Sequence, residues 1–221
     1  MTKSSNLIDN LEVYILNNPK EVKPYWVSHF IVPTANELLI KIKNKDGNSG
    51  FGLATSYTDI KPIIKPFSNG LQDLIIGEDP FCPEKLYEKI FNLTDTRISN
   101  EKGWSKEALI RISAALDIAC WDLIGKASKI PLYKLFGGYR NKIPVYVTCA
   151  YYRDGKNEAE LRQELKKLID IGHQSFKVKV GGLTIKDDAK RLEIIRSEIG
   201  NDRNLMIDVN RAWDLKTAIE G

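Results

Sequence analysis

The stretch "FKVKVGG", Phe176 to Gly182, sets two lysines two residues apart inside an apolar run. In a β-strand, residues i and i+2 point to the same face. Lys177 and Lys179 therefore look one way, and Phe176, Val178 and Val180 look the other. Lysine is almost never fully buried without a partner, so the lysine face is either the solvated side of an edge strand or the lining of a site. The strand by itself favours the edge reading, and its surroundings reverse that. Three β-rich runs, "IPVYVTCAYY" from Ile143, "QSFKVKVGG" from Gln174 and "NLMIDVNRAW" from Asn204, recur at roughly thirty-residue spacing. Between them, "NEAELRQELKKLIDIG" and "TIKDDAKRLEIIRSEIG" are amphipathic helices that close at a glycine. Their apolar faces are Leu161, Leu165 and Leu168 in one, and Ala189, Leu192, Ile195 or Ile199 in the other. Strand and helix in strict alternation predict parallel strands in a sheet covered on its outer face.

The polar residues gather where those strands end: Lys177 and Lys179 on the second, Asp208 and Asn210 on the third. In a βα barrel, the C-terminal ends of the strands are the catalytic face. Asp208 and Asn210 are again two apart, which predicts that both point inward beside the lysines. A lysine base near a metal-bound carboxylate can remove a proton α to a carboxylate, because an adjacent cation stabilises the enediolate. A hard oxygen ligand such as Asp208 suits magnesium. Nearby cations and desolvation would lower a lysine's pKa toward a useful range.

The first half reads as α+β. "LEVYIL" (Leu11–Leu16) and "ELLIKIKN" (Glu37–Asn44) are strands, and "KDGN" (Lys45–Asn48) turns the second into "SGFGLAT", antiparallel to it. "NNPKEVKPYWVSHFIVP" has no clean period and reads as a long loop, a candidate lid. "PFCPEKLYEKIFNL" is a helix with Pro83 in its first turn. The longest helix runs from Ser105, its N-cap, to Lys129, with Leu109, Ile112, Leu116, Cys120 and Leu123 on one apolar face. Asp117 and Asp122 on that helix read as solvated or structural charges rather than metal ligands. "PLYKLFGG" is a short helix that stops at Gly137–Gly138.

Composition narrows the class. The 221 residues are 43% hydrophobic and 28% charged, as in an ordinary globular protein of one or two domains. The net charge of +4 is spread along the chain without a dense basic run, which speaks against nucleic acid as a partner. Cys82, Cys120 and Cys149 are odd in number and lack a CxxC, as expected of reduced thiols in a cytoplasm. "MTKSSNLIDN" has no apolar leader and no run is long enough to cross a bilayer, so a cytoplasmic protein without a membrane partner is expected.

"ALDIACWDLIGKASKIPLYKLFGG", "FKVKVGG" and "DVNRAWD", in this order and spacing, resemble the enolase superfamily, in its mandelate racemase / muconate lactonizing enzyme branch. The resemblance implies an α+β capping domain over residues 1–140. An incomplete (β/α)8 TIM-type barrel would follow over 141–221, holding the first two and a half βα units. It also implies a magnesium enzyme that abstracts the α-proton of a small hydroxycarboxylate: an acid-sugar dehydratase first, with a racemase, epimerase or cycloisomerase as alternatives. By the same resemblance, Lys179 would be the general acid/base. Lys177 would hold the substrate carboxylate and keep Lys179's charge low. Asp208 would be the first of three metal ligands, and Asn210 a contact to the substrate carboxylate or behind it. Capping-domain loops would select substrate: the segment around Tyr25, Trp26 and His29, and "ATSYTD". For His29 a surface or packing role is preferred. Tyr151 and Tyr152 could touch substrate, with packing expected for at least one. The later metal ligands and second base of the family are not in this sequence. The expectation is a fragment of a longer, homo-oligomeric enzyme, or an incomplete barrel without activity that serves as a capping module.

Overall fold

The computed structural model describes residues 6–17, 24–32, 36–56 and 59–221. In chain order its elements are β1 (Ile8–Asn17), β2 (Tyr25–Trp26), β3 (Ile31–Val32), β4 (Asn36–Asn44), β5 (Ser49–Ser56), α1 (Lys61–Ser68), α2 (Pro83–Phe91), α3 (Arg97–Lys102), α4 (Lys106–Ser128), α5 (Leu132–Leu135), β6 (Val147–Cys149), α6 (Glu158–Ile171), β7 (Ser175–Lys179), α7 (Ile185–Ile199), β8 (Asn204–Asp208) and α8 (Leu215–Glu220). The chain divides into two compact units: Met1–Pro19 with Thr34–Arg140, and Lys20–Pro33 with Asn141–Gly221.

In the first unit β1, β4 and β5 form an antiparallel sheet in that order. Gly47, at φ +86°, makes the turn between β4 and β5, where an L side chain would be strained. Alternation along β4 sends Leu38, Ile40 and Ile42 into the core, all fully buried. Ser105 caps α4 by accepting from the Ala108 N–H, and Lys129 ends it in the left-handed conformation. The face of α4 that carries Leu109, Ile112, Leu116, Cys120 and Leu123 is wholly buried against that sheet and α2. Gly50 and Gly52 on β5 let the α4 backbone come into direct contact: a Cβ at Gly52 would lie 1.8 Å from the Ala115 carbonyl oxygen. Asp122 is structural, accepting from the Phe51 N–H at 2.9 Å and pairing with Lys126. After α5, Gly137 at φ +75° and Gly138 close the turn by donating to the Lys134 and Tyr133 carbonyls.

In the second unit β6, β7 and β8 form a parallel sheet in chain order, with α6 and α7 as the crossovers. Phe176, Val178, Leu161, Leu165, Ile195 and Ile199 form its core. This is the opening of a (β/α)8 barrel. Three expectations change. The first barrel strand starts at Val147, not Ile143, because β7 begins at Ser175 and the register leaves Ile143 and Val145 no strand opposite; they are 75% and 71% exposed. On α7 the buried positions are Asp188, Ile195 and Ile199, so Ala189 is turned to solvent. The segment expected as a loop contains a small antiparallel pair, β2 with β3, and groups with the second unit. Residues 18–23 and Pro33 of that segment, residues 34–35 after it, and Tyr57 and Thr58 of "ATSYTD" lie outside the described residues. All three cysteines are free thiols. No helix among the described residues is long and apolar enough to cross a membrane.

Candidate active site

The parallel register of β7 and β8 sets Lys179 directly beside Asp208. Lys179 Nζ donates to Asp208 Oδ2 at 2.8 Å and to Asn210 Oδ1. Lys177, two residues back on the same face, reaches the same Oδ2 at 3.0 Å and lies 5.5 Å from the centre of the Tyr146 ring. Opposite the lysines, Phe176 and Val178 are fully buried, so the apolar side of β7 fixes where the two ammonium groups point. The four polar residues expected at the strand ends form one cluster.

Asn210 enters by a different route from the one expected. β8 stops at Asp208, and Asn210 and Arg211 take left-handed backbone conformations, φ +45° and +64°. The turn, not the pleat, brings the amide to Lys179, and the Asn210 N–H closes back on Asp208 Oδ1 at 2.9 Å. Asparagine tolerates that region better than most residues, whereas Arg211 there costs about 1–2 kcal/mol.

The Lys179 ammonium, then the Asn210 N–H and Lys177, hold the Asp208 carboxyl well below the usual carboxylate range. Lys177 moves opposite to the lowering expected of a site lysine: its pKa is raised, chiefly by its hydrogen bond to Asp208. Among the described residues no three His, Cys, Asp or Glu side chains come together as a metal site. Asp208 is a hard oxygen donor of the kind magnesium takes.

Four aromatic residues, Tyr25, Trp26, Tyr151 and Tyr152, pack on one another in pairs. Tyr25 packs on Tyr151, ring centres 4.7 Å apart. Trp26 pairs with Tyr152 through two backbone hydrogen bonds and a stacked ring contact at 5.9 Å. Tyr152 is 5% exposed and its hydroxyl donates to Asp188 at 2.6 Å. Burial, then that bond, push its pKa upward. The Tyr152 hydroxyl is thus committed to Asp188 and to the Gly182 N–H, and its ring to Trp26. His29 is exposed, edge-on to Phe30. A cleft of about 310 Å³, lined by Trp26, Tyr152, Leu161, Leu183, Arg191 and Ile194 among others, includes none of the four cluster residues.

Residues 10–137 match the mandelate racemase / muconate lactonizing enzyme N-terminal domain, more than half of the chain, and residues 160–221 match the enolase C-terminal domain-like family. The chain belongs to the mandelate racemase / muconate lactonizing enzyme family. It is 31% identical over 180 residues to arabinonate dehydratase of Saccharolobus solfataricus, covering 81% of this chain and 47% of that protein. It is 33% identical over 202 residues to L-Ala-D/L-Glu epimerase of Clostridium acetobutylicum, covering 89% and 52%. The solved racemase from Streptomyces coelicolor A3(2) with bound magnesium superposes with a TM-score of 0.82 at 26% identity, over 97% of this chain and 58% of that one. The chain thus spans about half the length of the curated relatives it matches.

In this mandelate racemase / muconate lactonizing enzyme family member, the residues that sequence reasoning passed over are those that fasten the strand ends. Asp188, Arg191 and Glu164 come from the two helices, and Ser28 donates to the Val180 carbonyl at 2.5 Å. One signal for them was present: Asp188 falls in phase with Leu192, Ile195 and Ile199, a charge on an otherwise apolar stripe.

Proposed function

We propose that the protein carrying this chain removes the proton α to the carboxylate of a small hydroxycarboxylate. The product class we assign is that of an acid-sugar dehydratase. The observation that carries the reading is the convergence of Lys177, Lys179, Asp208 and Asn210 on adjacent parallel strand ends. Lys179 Nζ, once its ammonium has given up a proton and stands as the neutral amine, is the group that takes the α-proton. The Lys177 ammonium beside it steadies the carboxylate oxygens that gain negative charge, and the Asn210 amide orients that carboxylate. Loss of the β-hydroxyl with a proton then releases water and leaves an enol that becomes the 2-keto acid. Magnesium, when bound, would stabilise charge on the enediolate, with Asp208 as one of its oxygen ligands. Tyr25 stays within the proposal as a substrate contact. A homo-oligomer in the cytoplasm belongs to the same reading, on the strength of the family.

Dehydration is placed first because arabinonate, talarate/galactarate and gluconate/galactonate dehydratases are all among the relatives. The 33% identity to a dipeptide epimerase favours a second reading, in which the same proton is removed and returned without loss of water. The test is proton NMR in D2O with magnesium on arabinonate, galactarate, gluconate and L-Ala-D-Glu. Loss of the α-proton signal with formation of a 2-keto product supports the dehydratase, and exchange without water loss supports the epimerase. Lys179→Ala should cut exchange at least ~100-fold. Unchanged deuterium incorporation in that variant sinks both readings.

A further inference from the structure

Behind the lysine cluster, in the second unit, lies a set of buried polar groups that the reaction does not itself use. Arg191 on α7, its side chain 13% exposed, donates from Nη1 to the Lys179 carbonyl at 2.7 Å and from Nη2 to the Ala150 carbonyl. Cys149 pairs with Val178, so Ala150 and Lys179 are neighbouring residues at the ends of adjacent strands. One planar guanidinium therefore bridges the two strand ends, which a lysine with a single ammonium could not do in the same geometry. Arg191 is itself located from two sides. Its guanidinium lies 4.3 Å from the centre of the Tyr152 ring, and Asp188, one turn earlier, is 3.7 Å away. Asp188 is 3% exposed and accepts from the Tyr152 hydroxyl at 2.6 Å and from the Gly181 N–H at 2.7 Å. Tyr152 accepts in turn from the Gly182 N–H at 3.2 Å.

The network converges on two sensitive points. Ala150 holds φ +54°, unfavourable for an L residue, and both its peptide groups are gripped: the N–H donates to Glu164 at 2.8 Å and the carbonyl accepts from Arg191. Lys179 is the last residue of β7, where strand pairing gives out and the Gly181–Gly182 loop begins. A side chain launched from a strand end is only as well placed as that end.

We propose that Arg191, oriented by Asp188 and Tyr152, is a positioning residue for Lys179. By tying the Lys179 carbonyl to the end of β6, it fixes the backbone from which the Lys179 side chain reaches Asp208 and Asn210. Its bearing on catalysis rests on the reading of Lys179 as the base, and the experiment separates the two. In the native protein carrying this chain, the ¹⁵N order parameter of the Lys179 ammonium is measured in the parent and in Arg191→Lys. That readout needs neither substrate nor metal. It should fall from the parent's value toward that of the exposed lysines of the same chain. On the sugar acid that the parent exchanges, Arg191→Lys should lower kcat about 10–100-fold with KM within about twofold, as expected for a misplaced base. If Arg191→Lys fails to fold, Asp188→Asn is read instead. It keeps the shape and removes the charge facing Arg191, and it should loosen Lys179 in the same direction. A folded variant with the parent's order parameter and kcat overturns the proposal. A loosened Lys179 together with unchanged exchange in Lys179→Ala upholds the positioning role and overturns the base reading.

Discussion

Gly52→Ala tests how the first unit is built. The added Cβ would sit 1.8 Å from the Ala115 carbonyl oxygen, 2.8 Å from its carbon and 3.1 Å from the Ala119 nitrogen. A carbon beside a carbonyl oxygen needs about 3.3 Å, so β5 and α4 must part by about 1.5 Å. The obstacle is main chain of a 23-residue helix, with no rotamer that could yield. That helix also carries the fully buried Leu109, Ile112, Leu116 and Leu123. A gap of ~0.5–1 Å already forfeits a quarter to a half of the dispersion energy across it. Overpacking costs of about 1–3 kcal/mol are usual where side chains can adjust, and here the cost should exceed about 3 kcal/mol. Relief of glycine's backbone entropy returns only about 0.5–1 kcal/mol. With a urea slope near ~2 kcal/mol/M, the midpoint should drop by about 1 M or more. Far-UV circular dichroism follows the transition, and amide protection along α4 reports on the first unit alone. Gly77→Ala is the control: φ is +86° but nothing lies within 4 Å, so only about 1 kcal/mol of backbone strain is expected. A Gly52→Ala midpoint within about 0.3 M of the parent would refute the argument from close approach.

Three further outcomes can be checked. Asp208 titrates below the usual carboxylate range in the folded chain, so its ion pairs stabilise the protein fully above the unfolded value near ~4, and that stability is lost as pH falls through the lower folded value. The urea-midpoint difference between parent and Asp208→Asn should therefore shrink from pH 7 toward pH 3, and a constant difference would contradict the assignment. Ser28→Ala should cost about 1 kcal/mol and speed amide exchange at Trp26 and Tyr152, since it deletes the bond to the Val180 carbonyl; unchanged protection there would count against the anchoring of that segment. Leu165→Ala should cost about 2–5 kcal/mol, because the side chain is fully buried in the small core of the second unit; a loss under about 1 kcal/mol would mean the site collapses around the cavity.

Most of the architecture was legible because it is written in periods. Alternation gave β4 and β7, and the 3.6-residue stripe gave α4 and α6, since burial of one face is what those periods record. The lysine pair and Asp208 were legible for the same reason: charges on the inner side of an apolar strand have few explanations. Strand ends were not legible. β6 is short because β7 starts at Ser175, a fact of register that no local run of residues carries. Ala150 adopts a backbone angle that its residue type disfavours, held by Glu164 and Arg191, and the turn at Asn210 is held by Asp208 and Lys179. Arg191 escaped because its partners are carbonyls, which every residue has.

Ser28 and Val180 are separated by 152 positions, yet one completes the hydrogen bonding of the other. On a ribosome adding ~5–20 residues per second, the segment around Trp26 emerges roughly 8–30 s before the carbonyl that will receive Ser28. The sheet of β1, β4 and β5, with α4 upon it, can close its own core during that interval. The short β2–β3 pair cannot, because Tyr152 and Val180 have yet to be synthesised. Its aromatic residues lack those partners throughout that interval. The contacts of Trp26 and Ser28 can close only after Tyr152 and Val180 have emerged.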